Sequence, residues 1–336
     1  MKILITGGAG FIGTNFVRYW SKNYPNDFIC VYDKLTYAAN INNLSPFIKM
    51  PDFKFVQADI VDTKLLKETL SNLNIDIIVN FAGESHVDRS ISNPDAFIKT
   101  NILGVYSILE AIRENPSIRL HHISTDEVYG SLPLELPNIK FSEDTAYCPK
   151  SPYSASKASG DFLVRAYINT YNIKATISNC SNNFGPYQFP EKLIPLTIIR
   201  ALMDQEIPVY GNGLQVRDWI HVEDHCYGID LILKKGKLGE TYLLGGSGEM
   251  PNIKVIKTIL GHLNKPESLV KYVEDRKGHD IRYAIDFSKA QKELGYKPQK
   301  LVDIWLKETV DWYVNNKDFW NKTTSEAFKV ADSYLK

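Results

Sequence analysis

The sequence has no long hydrophobic run. Its first apolar stretch, Ile3-Leu4-Ile5, meets a glycine cluster at Gly7 and is far too short for a signal peptide or a spanning helix. No later segment is long and apolar enough to cross a bilayer, so no membrane association is expected. Neither charge is in excess, because 39 Lys and Arg balance 39 Asp and Glu. A neutral chain has no global attraction to nucleic acid or anionic lipid; neither is an expected partner, and any phosphate site must be local. Cysteine is scarce. Cys30, Cys148, Cys180 and Cys226 are scattered without CxxC spacing and signal neither a zinc site nor a disulfide framework. Buried free thiols in a reducing cytoplasm are the expectation. There is no internal repeat and no low-complexity tract.

What is present is a patterned globular chain. Its 336 residues exceed what one hydrophobic core usually serves, so two lobes are expected. Short β-type runs alternate with helical patterns through the first half. Strands are expected at Lys2–Thr6, Phe28–Asp33, Phe53–Gln57, 75–81 and 120–124, and helices at 10–24 and 63–72. The continuous apolar runs Ile3-Leu4-Ile5 and Ile77-Ile78-Val79 suit strands covered on both faces. The expected fold class is therefore α/β: a Rossmann-type doubly wound parallel sheet with a smaller mixed α/β C-terminal substrate lobe. Residues 1–180 are assigned to the dinucleotide-binding domain, with the chain returning to it around 215–245, and 181–336 mainly to the substrate lobe. Helices at 101–113 and 153–171 are apolar over a broad arc and must pack on the sheet or a partner subunit. The tail after Trp320 is polar and helical, with no chemical signal.

Gly7, Gly10 and Gly13 lie between the first strand and the first helix. Glycines there allow a tight turn and let backbone N–H groups approach a pyrophosphate at a helix N-terminus. Such a motif alone is weak evidence. Here a strand precedes it, a helix follows it, and Asp33 ends the second strand. An acid at that place accepts hydrogen bonds from a ribose 2′-hydroxyl and repels a 2′-phosphate, which favours NAD over NADP. Lys34 beside it blunts that exclusion. Asp59 follows the third strand, where it could meet the adenine or simply be a solvated loop acid.

Tyr153 and Lys157 share one helical face. A tyrosine hydroxyl ionises near pH 10, and a nearby ammonium together with a positive nicotinamide ring would lower that value. Asp126 and Glu127 follow the expected strand at 120–124. Two carboxylates crowded into one site separate in pKa, leaving one as acid and the other as base. The apolar strand before them and Val128-Tyr129-Gly130 after them argue against an exposed turn.

With these residues in view, the chain resembles the extended short-chain dehydrogenase/reductases, and within them the dTDP-glucose 4,6-dehydratases. The resemblance runs nearly end to end. It rests on Leu35-Thr36-Tyr37-Ala38 and on the stretches 82–90, 121–130, 151–157, 179–187, 190–195, 217–219 and 275–280. Thr125-Asp126-Glu127 is its most specific mark, since related sugar-nucleotide epimerases usually lack the paired acids.

The resemblance implies a redox-neutral conversion of dTDP-glucose to a 4-keto-6-deoxy sugar with bound NAD. Tyr153, tuned by Lys157, deprotonates the C4 hydroxyl as hydride leaves C4. Glu127 removes the C5 proton, Asp126 protonates the departing C6 hydroxyl, and hydride returns to C6. Thr125 is implied to hydrogen-bond the 4-hydroxyl. Besides the glycines, the implied cofactor contacts are Phe11, Ile12, Asp33, Lys34, Leu35, Thr36, Asp59, Ile60, Ala82, Gly83, Glu84, Ser85, His86, Thr100, Tyr153, Lys157 and Asn183. The implied nucleotide-sugar contacts are Ser85, Thr125, Asn182, Lys192, Leu193, Pro208, Tyr210, Arg217, Asn252, Arg276 and His279. Lys192, Arg217 and Arg276 suit a diphosphate. A homodimer through a four-helix interface, built from the helices at 101–113 and 153–171, is implied as well.

Three positions depart from the family pattern: Gly83 stands for Ala, Ala38 for Gly, and Gly160 for Ser. His221, Glu223 and His225 have metal-ligand character but no fourth ligand, and no metal is expected. The competing readings are a dehydratase of a UDP-linked sugar, a nucleotide-sugar 4-epimerase, and an idle NAD-binding scaffold.

Overall fold

The computed structural model describes residues 1–321 and 323–335. Its strands are β1 (Lys2–Thr6), β2 (Phe28–Asp33), β3 (Phe53–Gln57), β4 (Ile77–Asn80), β5 (Arg119–Thr125), β6 (Ala175–Cys180), β7 (Asn182–Phe184), β8 (Ile207–Tyr210), β9 (Val216–His221), β10 (Thr241–Leu244), β11 (Glu249–Pro251) and β12 (Val270–Val273). Seven of them form one sheet in the order β10-β6-β5-β4-β1-β2-β3, and every pairing is parallel. The order reverses at β1, with β2 on one side and β4 on the other. A crevice opens at the carboxyl ends of the strands at such a reversal. In register, Thr6 pairs with Tyr32 and with Asn80, and Thr125 pairs with Cys180.

The sheet is covered on both faces, which explains its unbroken apolar strands. Ile3 and Ile5 pack with Phe16, Trp20, Val31 and Val79 on one face. Leu4 and Ile78 pack with Leu66, Ile108, Ile112 and Leu120 on the other. β1 to β3 match expectation, whereas β4 is shorter than 75–81. Ile75 is taken by the turn that closes helix Thr63–Leu73, where Asn74 is left-handed and the Ile75 N–H bonds Leu70 O at 3.1 Å. β5 extends one residue beyond expectation at each end.

The helix expected at 101–113 is a wider π-helical stretch, Ile98–Gly104, leading into the α-helix Val105–Arg113. It lies against helix Pro152–Tyr171. A Cβ at Gly160 would sit 2.8 Å from Asn101 O, so the close approach of these two helices accounts for glycine there.

After β6 the chain builds a smaller lobe. It holds a three-stranded sheet, β11-β9-β7, and a parallel pair, β12-β8. Phe184, Ile198, Trp219, Val255, Trp305 and Tyr313 form its core. The chain returns to the large sheet through helix Val222–Lys235, whose Ile229 and Leu233 share a core with Phe16 and Trp20, and through β10, which adds to β6. The tail, silent in sequence, folds into short helices whose Trp320, Phe328 and Ala331 enter the smaller core. All four cysteines are free; Cys148 is exposed, contrary to expectation, because it lies on the loop ahead of helix Pro152–Tyr171. Among the described residues no helix is long and apolar enough to cross a membrane.

Candidate active site

The glycine turn after β1 is shaped by close backbone approach. Gly7 has φ of 67°, and a Cβ there would fall 2.7 Å from Ala82 N. A Cβ on Gly13 would fall 2.3 Å from Gly7 O. The turn opens helix Phe11–Asn23, whose free N–H groups face the crevice. At the end of β2, Asp33 accepts from Ala9 N at 2.9 Å and from Leu35 N at 2.7 Å. Burial raises its pKa, and those two amide bonds act the other way. Lys34 pairs with Asp59 at 2.6 Å, so its charge is met by an acid rather than left open to a phosphate.

These groups line a cleft of about 310 Å³. Gly7, Gly10, Phe11, Ile12, Gly13, Asp33, Lys34, Thr36, Asp59, Ile60, Ala82, Gly83, Glu84, Ser85, Thr100, Thr125, Tyr153, Lys157 and Asn183 all face it. Two expected cofactor residues do not. Leu35, left-handed at φ 60°, packs against the core beneath the sheet end. His86 caps helix Val87–Ser92, accepting from Arg89 N at 3.4 Å, and faces the neighbouring cavity. The cradle that a Cβ would fill, the free helix N-terminus and the acid ending β2 fit a dinucleotide.

The paired acids are placed by one short turn. Thr125 ends β5 and its hydroxyl accepts from Glu127 N at 3.3 Å, capping the 3₁₀ turn Asp126–Tyr129. Gly130 closes that turn at φ 85°, where a Cβ would meet Cys148 O at 2.5 Å. Asp126 is 1 % exposed and lines neither cavity, and its Oδ1 accepts from the Thr125 hydroxyl at 3.3 Å. Burial first, then the neighbouring Glu127 and Asp218, hold its carboxyl well above the usual range. Burial also raises Glu127, but Lys192, Arg217 and Arg276 pull it back. Both carboxyls are therefore raised, but only Glu127 has three cations opposing the rise.

Helix Pro152–Tyr171 starts on a capping box. Ser151 Oγ accepts from Ser154 N at 3.0 Å, Ser154 Oγ accepts from Ser151 N at 3.0 Å, and Pro152 takes the first helical position. Tyr153 and Lys157 follow on its first two turns, both buried. Burial, then the field of Glu127, push the phenol well above its ordinary value, with a Thr125 hydroxyl contact opposing them. The Lys157 ammonium donates to Ile123 O at 2.7 Å.

A second cavity of about 200 Å³ adjoins the first, and Glu127, Asn182, Asn183, Gln188, Glu191 and Lys192 line both. Asn182, Lys192, Leu193, Pro208, Tyr210, Arg217, Asn252, Arg276 and His279 line the second, while Ser85 and Thr125 face the first. Arg217 donates to Asp280 O at 2.9 Å and lies over the Tyr283 ring. Arg276 lies over Tyr210 and pairs with Asp88 at 2.8 Å. The tail contributes Val330 and Ala331 to the wall.

Sequence reasoning missed Asp88, the fixed partner of Arg276. It also missed Glu191, which is buried between the cavities and accepts from Tyr37 OH at 3.0 Å and Arg89 Nε at 3.1 Å. Asn101 was missed too; its amide bonds Glu84 N and O, both at 3.0 Å, and Ser156 Oγ at 2.9 Å. Nothing local marks these residues, since each is an ordinary polar side chain until folding brings its partners. His221 and His225, weighed as metal ligands, have other work. His221 caps helix Val222–Lys235 and stacks on Trp305 at 3.7 Å, and His225 bonds Asn183 Oδ1 at 2.9 Å.

A dinucleotide cleft joined to a cation-lined cavity, with a tyrosine, a lysine and paired acids between them, defines an enzyme of nucleotide sugars in the short-chain dehydrogenase mould. The comparisons agree. Residues 4–309 match the family model described as GDP-mannose 4,6 dehydratase. A dTDP-glucose 4,6-dehydratase of Escherichia coli is 47% identical, with 98% of each chain covered. That of Mycobacterium tuberculosis is 46% identical, covering 97% of this chain and 98% of the relative. The crystal structure of the dTDP-glucose 4,6-dehydratase of Streptomyces venezuelae, with NAD bound, superposes with a TM-score of 0.92. It is 44% identical and covers 96% of this chain and 100% of that one. A UDP-glucuronic acid 4-epimerase of Bacillus cereus is more distant, at 26% identity and a TM-score of 0.87, covering 94% of this chain and 99% of that one. The chain belongs to the dTDP-glucose 4,6-dehydratase family.

Proposed function

We propose that the protein converts dTDP-glucose to dTDP-4-keto-6-deoxyglucose and water, with NAD as its resident cofactor. The observation that carries this is Glu127, which lines both cavities, with Tyr153 facing the first and Asp126 buried beside Glu127 in the same turn. Held by the glycine turn and Asp33, NAD would supply the hydride acceptor for C4 and the hydride donor for C6, and a positive ring that would lower the Tyr153 pKa. Tyr153 takes the proton of the C4 hydroxyl, which the Thr125 hydroxyl orients. Glu127, drawn back toward ionisation by Lys192, Arg217 and Arg276, takes the proton from C5. Asp126, kept protonated by burial, gives its proton to the C6 oxygen, so that the C6–O bond breaks and water leaves. Glu127, its acquired proton exchanged with solvent, then protonates C5, and transfer of the Tyr153 proton to Asp126 through solvent restores both groups. Arg276, Arg217 and Lys192 hold the diphosphate, and Asp33 holds the adenosine ribose. No metal takes part in this scheme.

The epimerase reading leaves the second acid without a task, and the epimerase relatives are the more distant ones. The test is turnover of dTDP-glucose in D2O followed by NMR. The expected product lacks the C6 hydroxyl and carries deuterium at C5. A product inverted at C4 with its C6 hydroxyl intact would overturn the reading; faster turnover of UDP-glucose would reassign the nucleotide.

The same reading includes a homodimer. Ile98, Leu103, Tyr106 and Phe162 are large, apolar and exposed on the paired helices at 98–113 and 152–171. Two such helices from each subunit form a four-helix interface that covers them. Equilibrium sedimentation should give a dimer mass, and Leu103→Glu with Phe162→Glu should lower it to a monomer; a monomeric wild type would overturn the dimer. The four free thiols suit a cytoplasmic protein. Residues 1–180 with the returning 215–245 hold the cofactor, and the remainder of 181–336 mainly holds the nucleotide sugar.

A further inference from the structure

Asp161 lies one helical turn beyond Lys157, on the same face of helix Pro152–Tyr171, and is completely buried. Nothing in the scheme above uses it. Its Oδ2 accepts from Ser124 Oγ at 2.7 Å, Tyr147 OH at 2.9 Å and Asn179 Nδ2 at 3.4 Å. His122 Nε2 stands 3.3 Å from Oδ1. The proton on that ring is placed by its other side. Asn80 Oδ1 accepts from the Thr6 hydroxyl at 2.6 Å, so the Asn80 amide nitrogen faces His122 Nδ1, at 3.0 Å, and donates to it. The imidazole proton therefore sits on Nε2, turned toward Asp161.

Three donors bond this carboxylate and the His122 ring stands beside its other oxygen, which favours the ionised form. Against the upward push of burial, His122, Lys157 and Ser124 hold Asp161 below the usual carboxylate range. The groups facing Lys157 offer no other full negative charge. Cys180, on β6, is pushed up to about 12 by burial. His122, on β5, is lowered by burial, so it stays uncharged. Tyr153 is raised, and Glu127 and Asp126 act on Tyr153. Burial draws the Lys157 ammonium down, and Asp161 is the chief group opposing that.

We propose that Asp161 is a positioning residue for the reaction: the buried counter-ion, held by Ser124, Tyr147 and His122, that keeps Lys157 charged one turn from Tyr153. This rests on the roles given to Tyr153 and Lys157 above. Asp161→Asn keeps the shape and removes the charge, so Lys157 loses its proton at lower pH. The basic limb of the kcat/KM profile should move down by about 1 pH unit, less than for a contact ion pair, because the Lys157 ammonium donates to Ile123 O and not to Asp161. KM should change less than twofold. In NAD-free protein labelled at lysine Cε, the Lys157 resonance should titrate earlier by the same amount, and Asp161→Glu should restore most of the shift. A folded Asp161→Asn variant with an unmoved limb and an unmoved Lys157 titration would overturn the proposal. If that variant does not fold, Tyr147→Phe decides. Removing one donor should move both readouts the same way by a fraction of a unit, and no movement sinks the idea. Wild-type protein that fails to turn over dTDP-glucose would refute the function reading alone, because the Lys157 titration still judges Asp161.

Discussion

Asp126→Asn should separate the two halves of the reaction. Asp126 is 1 % exposed, and burial, Glu127 and Asp218 together push its carboxyl well above the usual range, toward the protonated form. A protonated aspartic acid and an asparagine are nearly equal in size and both uncharged, and the Thr125 hydroxyl can still donate to Oδ1. The substitution therefore leaves no buried charge unpaired, and stability should change by less than about 1 kcal/mol. What is lost is the proton for the leaving C6 oxygen. Removing a positioned general acid costs about 10²- to 10⁴-fold, or roughly 2.7–5.5 kcal/mol of barrier. Tyr153 and Thr125 are untouched, so oxidation at C4 should proceed near the wild-type rate. Stopped-flow absorbance at 340 nm should show reduced cofactor rising as in wild type and then persisting. Quenched samples read by NMR should retain the C6 hydroxyl over the same interval. The reasoning fails if water is lost at the wild-type rate, or if oxidation slows as much as elimination.

Other perturbations address the binding groups and the buried imidazoles. Arg276→Lys loses the planar fork held by Asp88 and should raise KM for the nucleotide sugar about tenfold, the loss of one charge-assisted bond, with kcat within a few-fold in steady-state assays. Asp33→Ser removes the acid ending β2; the ratio of NADP to NAD dissociation constants, measured by calorimetry, should fall by about tenfold or more. His225 is lowered from 6.5 to about 3 by burial, so below pH 6.5 the unfolded chain binds a proton that the folded chain does not. Its contribution to stability is present above pH 6.5 and is lost as pH falls, by about 1.4 kcal/mol per unit. In urea titrations at pH 7 and pH 5.5, His225→Gln should therefore lose about 1 kcal/mol less than wild type on acidification; an equal loss would refute the assignment.

Much of the site was legible because its residues are local in sequence. The glycine turn, Asp33, the Thr125-Asp126-Glu127 turn and the Tyr153–Lys157 pair each sit at the end of one strand or the start of one helix. Strand periodicity and capping residues decide such positions without help from distant chain. Alternation of apolar runs with helices was enough for a doubly wound parallel sheet, because strands covered on both faces lose their polar alternation. The π-helical turn at Ile98–Gly104 was not legible; its close contacts, Gly104 against Ile60 and Asn101 O against Gly160, are with residues distant in sequence.

What only the tertiary structure decided is which side chains are charged and which face one another. Asp88 and Arg276 are 188 residues apart, and Glu191 is 102 from Arg89; no spacing rule joins them. The fall of Asp161 and the rise of Asp126 depend on donors and burial supplied by other strands. The Lys157 ammonium, expected to act on Tyr153 together with a nicotinamide ring, is turned by the fold to Ile123 O, with Asp161 one helical turn further along. The chain itself determined the set of reacting groups, because their order along the backbone is covalent. Their protonation states were left to the folded protein, because desolvation and charge proximity exist only once the chain has closed around them.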